Sequence, residues 1–398
     1  MNPLLKRIIM LKKLMLMSIC ALTLSSFTPK DNSSKDKKNS ELFLLIGTYT
    51  SGTSKGIYVY RFNTETGDAS YVNEIDGLSN PSYLNLTKDE KFVYSVGENE
   101  DEGGVAYALS FDKKNGKLTR LNSQKTFGGS PCYINIDPKG KYVITANYTG
   151  GNVSVFKIKK DGTLFPSNQI ISFDKKDATE PQPKSHLHCV AFTPEGKYLL
   201  ADDLGKDKVH KFNLNYTEAE DNSVQFLQPG KPESFDVEKG SGPRHITFHP
   251  NGKYAYLINE LSGKVTVFSY NNGILKDIQY IASDTTPGAD KKGSADIHLT
   301  PDGKFLYASN RLKADGIAIF KVNQKTGKLT KIGYQYTGIH PRNFIITPNG
   351  KLLLVACKNS NVIQVFKINS KTGLLEDTGK KIELDKPVCL KFASLYNK

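Results

Sequence analysis

Gly242-Pro243-Arg244-His245-Ile246-Thr247-Phe248-His249-Pro250-Asn251-Gly252-Lys253-Tyr254-Ala255-Tyr256-Leu257-Ile258-Asn259-Glu260 reads as two β-strands joined by a Pro-Asn-Gly turn. Apolar and β-branched residues flank the turn, and its glycine tolerates positive φ. In an antiparallel hairpin the outer ends meet, so Arg244 and Glu260 are expected at the same end, a cation beside a carboxylate.

The turn recurs at Asp137-Pro138-Lys139-Gly140-Lys141, Thr193-Pro194-Glu195-Gly196-Lys197, Thr300-Pro301-Asp302-Gly303-Lys304 and Thr347-Pro348-Asn349-Gly350-Lys351, with a degenerate Thr87-Lys88-Asp89-Glu90-Lys91. A spacing of about fifty residues is the period of a four-stranded propeller blade. A third strand follows each hairpin, as at 151–158 and 264–268, and signals such as Asn115-Gly116, Asp161-Gly162 and Asn272-Gly273 then lead to an outer strand. Two longer stretches, 174–184 and 216–240, carry Pro and charge and read as insertions at the rim, where such loops often border a site. The first strands, 42–47 and 56–62, have no hairpin unit before them, whereas Pro387-Val388-Cys389-Leu390-Lys391-Phe392 repeats the pattern of 243–248 without a partner after it. The expectation is all-β: a seven-bladed β-propeller of four-stranded blades over residues 41–398, its ring closed by the C-terminal strand pairing in the N-terminal blade.

Composition agrees. The 398 residues include 20 Tyr, 20 Phe and 33 Gly but no Trp, which argues against WD-type repeats. A net charge of +14 suits an anionic partner. The lysines are scattered through turns such as Asp112-Lys113-Lys114-Asn115-Gly116-Lys117 and do not form a stripe with aromatics between them. A small anionic substrate is therefore expected, and no nucleic acid. Residues 1–27 read as a signal peptide, since Lys6, Arg7, Lys12 and Lys13 precede an apolar run at 14–24 that is too short to span a membrane comfortably. Cys20 would allow a lipid anchor, but Ile19 before it is bulky where a small residue is wanted. Residues 28–40 read as a flexible leader. The expected location is periplasmic or exported, or cytoplasmic if the segment is not a working signal. Cys132, Cys189, Cys357 and Cys389 lack paired or metal-type spacing and read as small buried hydrophobes. No metal and no cofactor are expected, and a closed propeller has few sticky edges, so a monomer is the default.

Comparing the repeats with one another picks out two positions. That of Arg244 is held elsewhere by Ser82, Cys132, His188, Ala295, Arg342 and Val388; that of Glu260 by Glu98, Tyr148, Leu204, Arg311, Lys358 and Tyr49. The framework barely changes while these positions vary in charge and size, as a site grafted on a repetitive scaffold would. His188, Arg244, Glu260, Arg311, Arg342 and Lys358 are expected in one mouth of the central channel. Arg342, Lys358, His186 and His245 are expected as substrate-binding residues. His188 could also be a satisfied inner-strand histidine, and Arg244 with Glu260 a structural ion pair. Arg311 faces no acid in its own blade, and an uncompensated buried cation implies a partner or an anionic ligand. Asp202, Asp203 and Asp207 read as turn residues.

Ser185-His186-Leu187-His188, Ala201-Asp202-Asp203-Leu204-Gly205-Lys206-Asp207, Gly242-Pro243-Arg244-His245, Ile258-Asn259-Glu260 and Ser309-Asn310-Arg311 together resemble the seven-bladed propeller lactonase family. The family includes propeller-type bacterial 6-phosphogluconolactonases and the fungal carboxymuconate cyclase, and the resemblance runs from about residue 42 onward. It implies a catalytic set falling on His188, Arg244, Glu260 and Arg311. It also implies hydrolysis of a sugar lactone, 6-phosphogluconolactone to 6-phosphogluconate, in the pentose phosphate pathway of glucose metabolism. An exported chain departs from that cytoplasmic pathway, which bears on the phosphate and not on the lactone. His188 or Glu260 would act as general base, with Arg244 and Arg311 holding the oxyanion and the substrate's carboxylate or phosphate. Glu260 beside Arg244 should stay ionised. The alternatives are a non-catalytic exported binding module and a muconate-type lactonising cyclase whose two arginines clamp two carboxylates.

Overall fold

Each repeat forms a four-stranded antiparallel sheet, and seven such sheets make the ring. The computed structural model describes residues 40–100, 103–174, 183–217, 223–287 and 292–395. The signal-peptide reading, Cys20 and all of the leader except Ser40 lie outside them, as does most of the insertion at 174–184. Blade 1 is Pro387–Ser394, Glu41–Thr48, Gly56–Asn63 and Ala69–Asp76, in that spatial order. The C-terminal strand thus closes the ring as expected, with Leu42 opposite Ser394, Leu44 opposite Phe392 and Ile46 opposite Leu390. The innermost strands of blades 2 to 7 are Leu84–Leu86, Pro131–Ile136, Leu187–Phe192, Pro243–Phe248, Ser294–Leu299 and Pro341–Ile346.

Burial follows position in the blade. Second strands such as Tyr142–Asn147 and Leu352–Cys357 are buried throughout, whereas outer strands such as Lys117–Lys125 are mostly exposed or half-buried. Neighbouring sheets pack through apolar faces, as where Tyr256, Ile258 and Val265 meet Ile297, Leu306 and Phe320. Such burial stabilises by roughly 25 cal/mol for each Å² removed from water. Tyrosines latch blade to blade: the hydroxyls of Tyr94, Tyr256 and Tyr307 donate to the carbonyls of Gly162, Gly327 and Gly373, at 2.9, 3.0 and 2.8 Å. Those glycines belong to the outer-strand turns of the next blade. Gly162 has φ 84°, and a Cβ there would lie 2.2 Å from the Phe92 ring, so both backbone and packing require glycine.

Two details depart from the sequence reading. The stretch 216–240, read as a rim insertion, contains the outer strand of blade 4, Leu227–Asp236. Asp207 is a turn residue, accepting from the backbone of Gly240 and Gly242. Asp202 and Asp203 are not: both lie within the strand Tyr198–Asp203 and are fully buried, although Asp203 Oδ1 accepts from the backbone of Gly205 and Lys206 in the turn that follows. All four cysteines of the propeller are free and buried, as expected. Among the described residues no helix is long and apolar enough to cross a membrane.

Candidate active site

One irregularity builds the mouth. In blades 3, 4, 5 and 7 the pairing of first and second strands slips between Pro131 and Tyr133, Leu187 and Cys189, Pro243 and His245, and Pro341 and Asn343. The skipped residues are Cys132, His188, Arg244 and Arg342, and on the closing strand Val388 is skipped likewise. These are the variable positions found by comparing repeats. Each sits in a β-bulge, which bends the strand and re-aims a side chain. The second variable position follows the end of the second strand, so the residue there leans over the same opening.

Arg244 and Glu260 meet as expected, Nε donating to Oε2 at 2.8 Å. Arg311 has the partner that its burial implied: its Nη2 lies 3.1 Å from the same Oε2, so the cation without an acid in its own blade takes the carboxylate of blade 5. Its Nε also donates to the Gly293 carbonyl at 2.8 Å. Arg244 and Arg311 are 1% and 6% exposed. Burial pushes the Glu260 carboxyl up, but Arg311 and Arg244 outweigh it and hold the group below its usual value, ionised. Burial pushes Arg311 down to about 10, which leaves it charged.

His188 is buried, its ring edge-on to Tyr148 at 5.7 Å and to His245 at 5.3 Å. Its Nδ1 has no hydrogen-bond partner among the described residues. Burial first, then Arg244, His245, Arg342 and Arg311, hold its pKa well below 6.5, so the ring is neutral. His186 stacks on Tyr148 at 4.5 Å with Nδ1 3.0 Å from the Tyr148 carbonyl oxygen, and forms part of the wall.

Blades 1, 2 and 7 supply the opposite wall. Arg342 Nη2 lies 3.8 Å from Glu98 Oε1. The Tyr49 hydroxyl lies 2.9 and 2.8 Å from the two Glu98 oxygens, and Ser82 Oγ donates to Glu98 Oε2. The Arg342 guanidinium and the Lys358 ammonium lie over the Tyr49 ring, at 5.6 and 5.0 Å from its centre. His340, between Asp315 and Lys358, is pushed down to about 3 by burial and then by Arg311, Arg342 and Lys358.

Beneath the bulge residues a second layer crosses the channel. Tyr83 stacks on Tyr133 at 4.1 Å, and Tyr133 meets the His245 ring at 5.2 Å. His245 Nδ1 lies 2.8 Å from Asp296 Oδ1, and Asn343 Nδ2 donates to Asp296 Oδ2. His245, expected as a substrate-binding residue, packs in this layer against Tyr133 and Asp296.

His188, Arg244, Glu260, Arg311, Arg342 and Lys358 thus converge on one mouth. Four of these are cations, and the two carboxylates set against them are Glu260 and Glu98. Sequence reasoning placed Tyr49, Glu98 and Tyr148 at the variable positions without giving them a role; His340, next to a proline and outside both positions, carried no signal. Among the described residues no cluster of three or more His, Cys, Asp or Glu side chains could hold a metal ion. The arrangement can hold an anion beside a neutral imidazole.

Comparison with known proteins bears on the family. A family model described as "Lactonase, 7-bladed beta-propeller" matches residues 43–392. A 6-phosphogluconolactonase of Formosa agariphila is 40% identical over 341 residues, covering 84% of this chain and 94% of that protein. A crystal structure from Bacteroides fragilis is 56% identical with a TM-score of 0.85, covering 89% of this chain and 99% of the other. The periplasmic gluconolactonase of Pseudomonas aeruginosa is 34% identical with a TM-score of 0.83, covering 90% and 100%.

Proposed function

The chain belongs to the seven-bladed β-propeller lactonase family, and from that premise we propose which mouth residues do the work and on what substrate. It is a carboxylic ester hydrolase that opens a sugar lactone, 6-phosphogluconolactone to 6-phosphogluconate, in glucose metabolism. The observation that carries the assignment of residues is the pair of buried guanidiniums, Arg244 and Arg311, sharing one oxygen of Glu260 beside the neutral His188.

Water attacks the lactone carbonyl carbon and His188 takes its proton. The carbonyl oxygen becomes an oxyanion facing Arg244 and Arg311, donors already oriented by Glu260. Collapse breaks the bond from carbonyl carbon to ring oxygen, the proton passes from His188 to that oxygen, and the carboxylic acid so formed releases its proton to solvent and leaves as the carboxylate. His188 is the better acceptor because both arginines engage the Glu260 carboxylate. Burial, and then the cations around it, make His188 a weak base, which suffices because aldonolactones already hydrolyse in water. Arg342 and Lys358 receive the substrate's distal phosphate across the mouth, and His186 with Tyr148 walls the ring of the sugar.

The exported reading of residues 1–27, with a propeller domain at 41–398, gains support from the periplasmic relative and favours a second substrate, unphosphorylated gluconolactone. The position of Glu98 near Arg342 supports it too, since the distal cation is already partly neutralised. Turnover of both lactones by wild type, His188→Ala and Arg342→Met decides. The phosphate reading predicts that Arg342→Met raises KM about tenfold or more for the phosphorylated lactone alone, the loss of one charge-assisted contact. Wild-type turnover of neither lactone above the His188→Ala level would overturn the assignment.

A further inference from the structure

Resting on the lactonase reading, we propose that Asp296 and His245 are positioning residues for Arg244, locking its guanidinium in the orientation that meets the oxyanion. Arginine carries only donors, so the 3.4 Å approach of Arg244 Nη1 to His245 Nε2 requires a lone pair on Nε2. A neutral imidazole with a lone pair there carries its proton on Nδ1. Nδ1 lies 2.8 Å from Asp296 Oδ1, an acceptor. Both ends of the ring demand the same tautomer.

Asp296 is itself fixed from several blades. Its Oδ1 also accepts from the Ile297 backbone at 3.0 Å, and its Oδ2 faces His298 Nε2 at 3.0 Å, the Asn343 amide and the Phe344 backbone at 3.2 Å. Asn343 is held in turn, its Oδ1 accepting from Leu390 N at 2.8 Å. Arg244 thus takes three directions: Nε to Glu260, Nη1 to the Ala295 carbonyl and to His245. The charged and titratable groups around His245 are Arg244, Asp296, His298 and His188, with Tyr83 and Tyr133 against the ring.

The layer fills the channel elsewhere without such a pair. Positions matching His245 and Asp296 hold Tyr83, Tyr133, Cys189, Asn343 and Cys389, so packing alone asks for no imidazole and carboxylate. They stand where the catalytic guanidinium needs an acceptor beneath it. An imidazolium at His245 would turn Nε2 into a donor facing the donors of Arg244, and the guanidinium would move.

Two measurements test this. The ring nitrogen-15 shifts of wild-type His245 near pH 7, assigned by difference from His245→Gln, should show a proton on Nδ1 and none on Nε2. A proton on Nε2, or an imidazolium, overturns the proposal, and this readout needs no substrate. In steady-state assays Asp296→Asn and His245→Leu should lose about a hundredfold in kcat with KM changed less than about threefold, as for a misplaced catalytic group. His245→Gln, whose side-chain oxygen can accept from Arg244, should recover to within about tenfold of wild type. Equal kcat for the glutamine and leucine variants overturns the positioning role. A wild type that opens no lactone would sink the lactonase reading, while the tautomer still decides the hydrogen-bonded arrangement.

Discussion

Glu260→Gln is the sharpest perturbation of the mouth, because one oxygen carries both guanidinium contacts. The substitution keeps the shape and removes the charge. Arg244 and Arg311, 1% and 6% exposed, then face each other without a counter-charge. Removing one partner of a buried ion pair costs about 3–5 kcal/mol. The Glu260 side chain is 23% exposed, and the glutamine oxygen can still accept one N–H, so about 2–3 kcal/mol is expected here. Unfolding entropy near 2 cal/mol/K per residue makes that a fall of about 3–4 °C in melting temperature for a propeller of this size.

The pH dependence has a definite sign. The folded carboxyl lies below 4.5, so its stabilisation is fully present above 4.5 and is lost as pH falls through the lower folded value. Wild type and variant should converge on acidification. Millimolar inorganic phosphate should raise the variant's melting temperature more than the wild type's, since the variant mouth lacks its internal anion, and kcat should drop about a hundredfold as the oxyanion donors lose their alignment. Thermal melts at pH 7 and pH 4, with and without phosphate, read all of this. A variant melting within about 1 °C of wild type at pH 7, with an equal response to phosphate, would refute the claim that Glu260 neutralises two buried cations.

Asp202 offers a gain of stability: neither carboxyl oxygen has a hydrogen-bond partner among the described residues, and burial pushes the group up to about 8. Its protonated fold loses ground as pH rises from about 4 through 8, so Asp202→Ala, matching Ala146 and Ala356 of blades 3 and 7, should melt above wild type at pH 8 and less so at pH 5. For the histidines, His188 well below 6.5, His245 at about 4 and His340 at about 3 keep full stability above 6.5 and lose it towards those values. Denaturant titrations from pH 6.5 to 5 should fall by about 1.4 kcal/mol per pH unit for each, and His340→Asn should flatten the slope by one proton. Deleting residues 387–398 bares the edge of Glu41–Thr48 and should give aggregates on size-exclusion chromatography, whereas a soluble monomer with the wild-type melting temperature would contradict ring closure as a requirement.

Much of this was legible in the sequence because a propeller repeats itself. The Pro-x-Gly-Lys turns set a common count, and counting from each lysine lined up Arg244 with His188 and Arg342, and Glu260 with Arg311 and Lys358. The count worked because the framework between turn and mouth has the same length in these blades. It could not reveal the bulge that skips His188, Arg244 and Arg342, since a register shift leaves no mark on spacing. Nor could it see Arg311 reach Glu260 or Arg342 approach Glu98, because both pairs join different blades.

The same limit explains His245 and Asp296. Read within a blade, His245 is one residue from Arg244 and looks like another ligand for the substrate. Successive residues of a regular strand point to opposite faces, but the bulge at Arg244 breaks that alternation and lets its side chain stand in the mouth while His245 turns into the layer below. Asp296 comes from the next blade, in the position that His245 holds in its own and where the remaining repeats carry tyrosine, cysteine or asparagine. A carboxylate there is costly unless its lone pairs are met, and they are met by groups from blades 5, 6 and 7. Tying one residue to three blades fixes the angle between neighbouring sheets at the point where Arg244 and Arg311 must share Glu260. The mouth depends on that angle, because each partner in the shared contact is carried by a different strand and a small rotation of blade 6 would separate Arg311 from the Glu260 oxygen that Arg244 holds.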